Sequence, residues 1–143
     1  MNGSTMARAR LQLLTDERAG ARVRILVERF CKQHGLPKAA TNALNLSLDE
    51  IVSNIVMHGY RDKPGRLSID LRFNRRTVSI MIEDRGRPFD PTRAKAAPMR
   101  GPLATRHPGG LGLLFVRNLM DDITYQRAGA INRLQLVKRL SPL

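Results

Sequence analysis

The sequence predicts an α+β fold, a two-layer sandwich in which a mainly antiparallel sheet is covered on one face by helices. Three observations lead there. Apolar residues recur every three to four positions as far as His58, and from Leu67 onward they alternate with polar ones. The elements then follow the order strand, two helices, two strands, long loop, helix, two strands, which suits helices gathered on one side of a sheet. A length of 143 residues with 42% hydrophobic content is enough for one compact core and leaves little for a second.

Leu11 to Leu14 reads as a short first strand, and Thr15-Asp16-Glu17 as a helix start near Asp16, with a capping hydroxyl and two acids in the first turn. In that helix Val23, Leu26, Val27 and Phe30 form the apolar stripe, Arg22, Arg24 and Arg29 lie off it, and Gly35 ends it. A second helix opens around Pro37 and runs to His58-Gly59; Ala40, Leu44, Leu48, Ile51 and Ile55 make its stripe, with Glu50, Asn54 and His58 off it. Leu67, Ile69, Leu71 and Phe73 then alternate with Ser68, Asp70 and Arg72. After a turn at Asn74-Arg75-Arg76, Val78, Ile80 and Ile82 alternate again, as in an antiparallel hairpin with one buried face.

The segment from Asp84 to Pro108 holds Gly86, Pro88, Pro91, Pro98, Gly101, Pro102 and Pro108, too many breakers for one regular element. A helix begins at Gly109-Gly110-Leu111-Gly112 with Leu111, Leu114, Phe115 and Leu119 as its apolar residues. Two last strands, Ile123 to Arg127 and Ile131 to Lys138, flank the turn Ala128-Gly129-Ala130. The expected organisation is a flexible extension over residues 1–10 and a single domain over 11–140.

Composition narrows the function classes. The single cysteine, Cys31, cannot form an intramolecular disulfide, and no Cys/His cluster has metal-ligand spacing, which excludes a disulfide scaffold or a structural zinc module. No apolar run approaches the roughly 20 residues of a membrane span, so the expectation is a cytoplasmic protein without membrane partners. Lys and Arg total 25 against 12 Asp and Glu, a formal net charge of +13. These cations are spread along the chain without a Lys/Arg block, and aromatic residues are only 4%, a pattern of a solvated basic surface rather than a specific nucleic-acid face.

Three polar clusters could carry chemistry. Glu50 and Asn54 are four apart on a helix and share a face, so they could enter one pocket, the carboxamide as a hard ligand for Mg²⁺ and the carboxylate as a proton acceptor; a solvated outer face is the other reading. Asp84 at a strand end, followed by Gly86, could accept hydrogen bonds from a ligand amine while bare backbone approaches a flat ring, or could form an ordinary turn. Gly109-Gly110-Leu111-Gly112 at a helix start offers free N–H groups to a phosphate, or a plain hinge; it is neither a Walker sequence nor a dinucleotide fingerprint. Arg93, Lys95, Arg100, Arg106 and His107 give the loop before it the character of a cationic lid over about 91–108.

In this order and element context the three clusters resemble the boxes of the GHKL (HATPase) ATP-binding superfamily, and more closely its anti-sigma-factor serine/threonine kinase branch, the switch kinases of bacterial partner switching. The similarity runs from about Leu11 to Lys138. Leu48-Asp49-Glu50-Ile51-Val52-Ser53-Asn54 with His58-Gly59-Tyr60 is similar to the N box, Asp84 to Pro91 to the first glycine box, and Gly109 to Leu113 to the second. The resemblance implies the Bergerat-type version of the sandwich, with ATP and Mg²⁺ as cofactors. Glu50 would be the catalytic base, Asn54 would hold Mg²⁺, Asp84 would accept from the adenine amino group, Gly86 would let the ring approach, and Gly110, Leu111 and Gly112 would line the phosphates. It further implies transfer of phosphate to a Ser or Thr of a STAS-domain anti-sigma-factor antagonist, binding of a sigma factor or other regulator, and a possible homodimer, in which Leu11 to Leu14 could take part. A nucleotide-responsive binder that holds a regulator without phosphorylating it is the alternative.

Overall fold

A computed structural model of the chain describes residues 6–58, 64–93 and 110–140. Among them are five strands and three helices, in the order β1 (Ala7–Leu14), α1 (Ala19–Gln33), α2 (Lys38–His58), β2 (Arg66–Asn74), β3 (Thr77–Asp84), α3 (Gly110–Leu119), β4 (Asp122–Ala128) and β5 (Ile131–Arg139). One sheet, ordered β1-β2-β3-β5-β4, contains every strand, and each neighbouring pair is antiparallel. The expected α+β sandwich is what forms. None of the described helices is long and apolar enough to cross a membrane.

Period-two alternation decides which face of the sheet is covered. Leu67, Ile69 and Leu71 of β2, Val78, Ile80 and Ile82 of β3, and Leu134 and Leu136 of β5 are buried against Val23, Val27 and Phe30 of α1 and Leu44, Leu48, Ile51 and Val52 of α2. Full burial of each such side chain contributes about 1.5–3 kcal/mol, so this shared layer is the main source of stability. The opposite face carries ion pairs: Arg8 of β1 reaches Asp70 of β2 at 2.9 Å and Arg133 of β5 reaches Glu83 of β3 at 3.0 Å, both across strands, while Arg72 reaches Asp70 along β2 at 3.2 Å.

Several boundaries differ from the sequence expectation, each for a local reason. β1 begins at Ala7 rather than Leu11, because Ala7, Ala9, Leu11 and Leu13 face the core while Arg8, Arg10 and Gln12 face out; Ala7 to Arg10 pair with Phe73 to Asp70 and belong to the sheet, not to a flexible extension. Of the apolar group expected at an interface, Leu13 is in the core and Leu14 is half exposed. α1 starts at Ala19, with no acid in its first turn. The Thr15 hydroxyl does not cap it: that oxygen accepts the Gly65 N–H at 2.8 Å, while the Thr15 N–H donates to the Gly65 carbonyl at 2.9 Å, tying the end of β1 to the entry of β2. In α3 the buried residues are Leu113 and Val116, continued by Met120, whereas Phe115, expected in the apolar stripe, is 63% exposed.

The end of α1 follows the expected glycine stop. Gly35 has φ +67°, its N–H reaches the Lys32 carbonyl, and the Leu36 N–H reaches the Cys31 carbonyl at 2.9 Å, the paired bonds of a Schellman cap. The turn from β2 to β3 departs from custom, since Arg75 and Arg76 both take positive φ, +50° and +62°, where Asn-Gly is usual. An L side chain in this region costs about 1 kcal/mol. Arg75→Asn is therefore expected to stabilise the fold by about 0.5 kcal/mol, seen as a higher urea midpoint, and Arg75→Val to destabilise it by about 1 kcal/mol. Equal midpoints for wild type and both variants would contradict strain at this turn.

Candidate nucleotide-binding site

At the open end of the sheet, the alternation that buries Val78, Ile80 and Ile82 also carries Asp84 inward. The core face of β3 thus ends in a carboxylate that is only 6% exposed. The β3–β5 register sets Asn132 opposite Asp84, and its amide nitrogen donates to Asp84 Oδ1 at 2.8 Å. The same nitrogen approaches the carbonyl oxygens of Gly86, at 3.2 Å, and Arg87, at 2.9 Å. The amide oxygen of Asn132 accepts from the Tyr125 hydroxyl and from Arg127 Nη1, which also donates to the Gly86 carbonyl at 2.8 Å.

Burial pushes the Asp84 carboxyl above its ordinary range; the Asn132 hydrogen bond, the Gly86 backbone N–H and the Arg127 charge oppose that rise without cancelling it. Asp84 and Asn132 line a pocket together with Asn54 and His58 of α2. Ile51, Ile55, Ile82 and Leu134 give it apolar walls, and Arg87, Phe89 and Pro91 lie on the loop after β3. Its volume of about 40 Å³ holds waters rather than a purine.

Three polar residues of α2, Asn45, Ser47 and Asn54, lie inside rather than on a solvated outer face. Asn54 is buried, at 8% exposed, and its amide nitrogen donates to the Glu50 carbonyl at 2.9 Å. That bond leaves the amide oxygen as the group able to take a metal ion. Burial raises the Glu50 carboxyl above its ordinary range, and a hydrogen bond from Asn54 partly offsets this. A single protein oxygen fits Mg²⁺ when phosphate oxygens complete the shell. Among the described residues no group of three or more His, Cys, Asp or Glu could hold a metal by itself.

The structure thus brings Asn54 and Asp84 to one pocket, with Gly86 held against it and Glu50 one helical turn from Asn54. Gly110 is the first residue of α3, so Gly110, Leu111 and Gly112 form the first turn, where N–H groups are free of helical partners. α3 packs along α2. Of the cationic lid expected over about 91–108, residues 94–108 lie outside the described residues, and Pro91–Arg93 form a short 3-10 turn. Asn132, Tyr125 and Arg127 were not singled out by the sequence. The one signal was Asn132 itself, a polar residue at an inward position of an alternating strand.

The family model for the histidine kinase-like ATPase domain matches residues 14–138. The chain belongs to that family. Over 100 residues this ATPase-family domain is 38% identical to the serine/threonine-protein kinase BtrW of Bordetella bronchiseptica, a match covering 69% of this chain and 70% of that protein. It is 29% identical over 107 residues to the serine-protein kinase RsbW of Oceanobacillus iheyensis, covering 70% of this chain and just under two thirds, 66%, of the relative. Among solved structures, the RsbU and RsbW domains of a Mycobacterium tuberculosis protein superpose with a TM-score of 0.70 at 17% identity, over 96% of this chain and 33% of that one. At that identity the likeness shows the fold. The family implies ATP binding.

A buried carboxyl with a raised pKa takes up its proton more readily in the folded state. It therefore removes stability as pH rises from the ordinary carboxylate range through the raised value, and the penalty persists above it. Asp84→Asn should be more stable than wild type near neutral pH in the ligand-free state, with a difference that shrinks toward about pH 4, while losing about one to two orders of magnitude in ATP affinity. Urea midpoints measured across that range, beside ATP titrations, check both halves; a variant less stable than wild type at every pH would contradict the buried charge.

Proposed function

We propose that this protein is a cytoplasmic, ATP-dependent serine/threonine kinase of bacterial partner switching, which phosphorylates a STAS-domain anti-sigma-factor antagonist and binds a sigma factor or other regulator. The observation that carries the reading is the meeting of Asn54 and Asp84 at one pocket, with Glu50 one turn further along the same helix. The similarity to BtrW and RsbW, kinases by their names, supports it.

Each residue then has a distinct task. Asp84 accepts from Asn132 and the Gly86 N–H and offers its remaining acceptor capacity to the exocyclic amino group of adenine. Ile51, Ile55, Ile82 and Leu134 flank the ring. Gly110, Leu111 and Gly112 present backbone N–H groups to the phosphates at the positive end of α3. The Asn54 amide oxygen would hold Mg²⁺, which supplies charge neutralisation at the phosphate oxygens when bound. Glu50 accepts the proton of the partner's Ser or Thr hydroxyl as that oxygen forms its bond to the γ-phosphorus and ADP departs with the bridging oxygen. Its raised pKa brings its basicity closer to the task.

Glu50→Gln should retain ATP binding within about threefold and lower phosphate transfer to the antagonist by at least about a hundredfold. Asn54→Ala should weaken binding of ATP chiefly when Mg²⁺ is present. Both are read by calorimetry together with label transfer from γ-labelled ATP. Full labelling by Glu50→Gln would remove the base from the mechanism, and ATP binding without any transfer by the wild type would leave a nucleotide-responsive binder.

A further inference from the structure

The group of three side chains behind Asp84 has no task in the scheme above. Asn132 is buried, at 8% exposed, and every polar atom of its amide is engaged. Its nitrogen faces three acceptors, Asp84 Oδ1, the Gly86 carbonyl and the Arg87 carbonyl. Its oxygen receives two donors from β4, the Tyr125 hydroxyl and Arg127 Nη1, the latter at 3.0 Å. An amide flip would put oxygen against three acceptors and NH₂ against two donors, so the orientation is fixed from both sides. Arg127 is itself held, since its Nε donates to the Gly129 carbonyl at 3.0 Å and its Nη1 reaches the Gly86 carbonyl. Through one arginine, the β4–β5 turn is tied to the loop that follows Asp84.

The consequence concerns which base the pocket accepts. Asn132 directs a donor at Asp84 Oδ1, which favours the ionised carboxylate, and an ionised carboxylate can only accept. A base presenting an amino group at its edge is then paired, and one presenting a carbonyl meets like against like. We infer that Tyr125 and Arg127 are positioning residues for base selection: acting through Asn132, they hold Asp84 as a pure acceptor, so that the site takes a 6-aminopurine nucleotide and rejects a 6-oxopurine one. This rests on the nucleotide-binding reading of the pocket. It adds to that reading a discrimination mechanism residing in β4, a strand that contributes no residue to the motifs seen in the sequence.

Loss of either donor frees the Asn132 amide to tilt, and loss of Arg127 also removes a positive charge that favours the ionised carboxyl. A carboxyl that takes up a proton can donate to a 6-oxo group, so discrimination relaxes even where overall affinity falls. The other polar or titratable groups around Asp84 are the Gly86 N–H and Arg87 of the loop, and Asn54 and His58 of α2.

The test is competitive binding of ATP and ITP, with Mg²⁺, to the full chain as wild type, Tyr125→Phe and Arg127→Ala. Thermal melting of each variant establishes that it is folded, and Tyr125→Phe removes only a hydroxyl should Arg127→Ala not fold. The expected ATP preference over ITP is about a hundredfold or more in the wild type, reduced about threefold in Tyr125→Phe and about tenfold in Arg127→Ala. A merely structural role would weaken both nucleotides by the same factor. A wild-type protein that binds ATP, with variants whose ATP/ITP ratio stays at the wild-type value, overturns the inference alone; a wild type that binds neither nucleotide overturns it together with the reading beneath it.

Discussion

An aspartate stands at a core position at the open end of a central strand. Asp84 continues the inward series Val78, Ile80, Ile82, where another aliphatic side chain would complete the layer. A buried carboxylate is tolerated only if its oxygens find donors, and Asn132, placed opposite by the β3–β5 register, supplies one. That requirement organises the surroundings: Asn132 needs donors for its own oxygen, which recruits Tyr125 and Arg127, and Arg127 in turn fixes the Gly86 carbonyl. Asn132 and the Gly86 N–H take only part of the carboxylate's acceptor capacity, and the remainder is open to a ligand. The fold gives up apolar packing at that point and obtains a directional acceptor at the base of a pocket.

The helices complete the site from the other layer. α2 uses its apolar stripe to bury Leu44, Leu48 and Ile51 against the sheet, and the same packing brings Asn54 over the end of β3. The bond from Asn54 to the Glu50 carbonyl spans one turn, so the proposed metal ligand and the proposed base are carried by a single helix. Binding and chemistry are thus assigned to two layers joined through the core, and their relative placement depends on how Ile51 packs near Ile82 rather than on any loop.

The sequence made the architecture legible because the period of its apolar residues changes where helices give way to strands, and because Gly35 and Gly129 sit where positive φ is needed. Ala7 and Ala9 escaped notice because small residues alternating with arginine do not look like a buried face. α3 was assigned the wrong face in part: Phe115 is apolar yet exposed, and Leu113 and Val116 turn inward. Asp84 was legible through its motif, Asn132 only through a rule of parity, that a polar residue at an inward strand position must have a partner. Tyr125 and Arg127 were not legible, since their role arises from a cross-strand register that no local pattern encodes. Cross-strand and interhelical pairs such as Arg8 with Asp70 and Arg24 with Asp49 were likewise invisible in the sequence, and being neutral they leave the net charge of +13 as it is. Such exposed pairs contribute little each to stability, and the charge is a property of the surface.

The central claim is that Asp84 and Asn54 face one nucleotide from opposite layers, and amide-resolved NMR during titration with ATP and Mg²⁺ tests it most directly. The account predicts saturable shifts concentrated at Asn54, Asp84, Gly86, Asn132 and the first turn of α3, with residues of the outer sheet face such as Arg10, Arg72 and Gln135 unmoved. Shifts confined to that outer face, or a folded protein whose spectrum does not respond to the nucleotide, would contradict it.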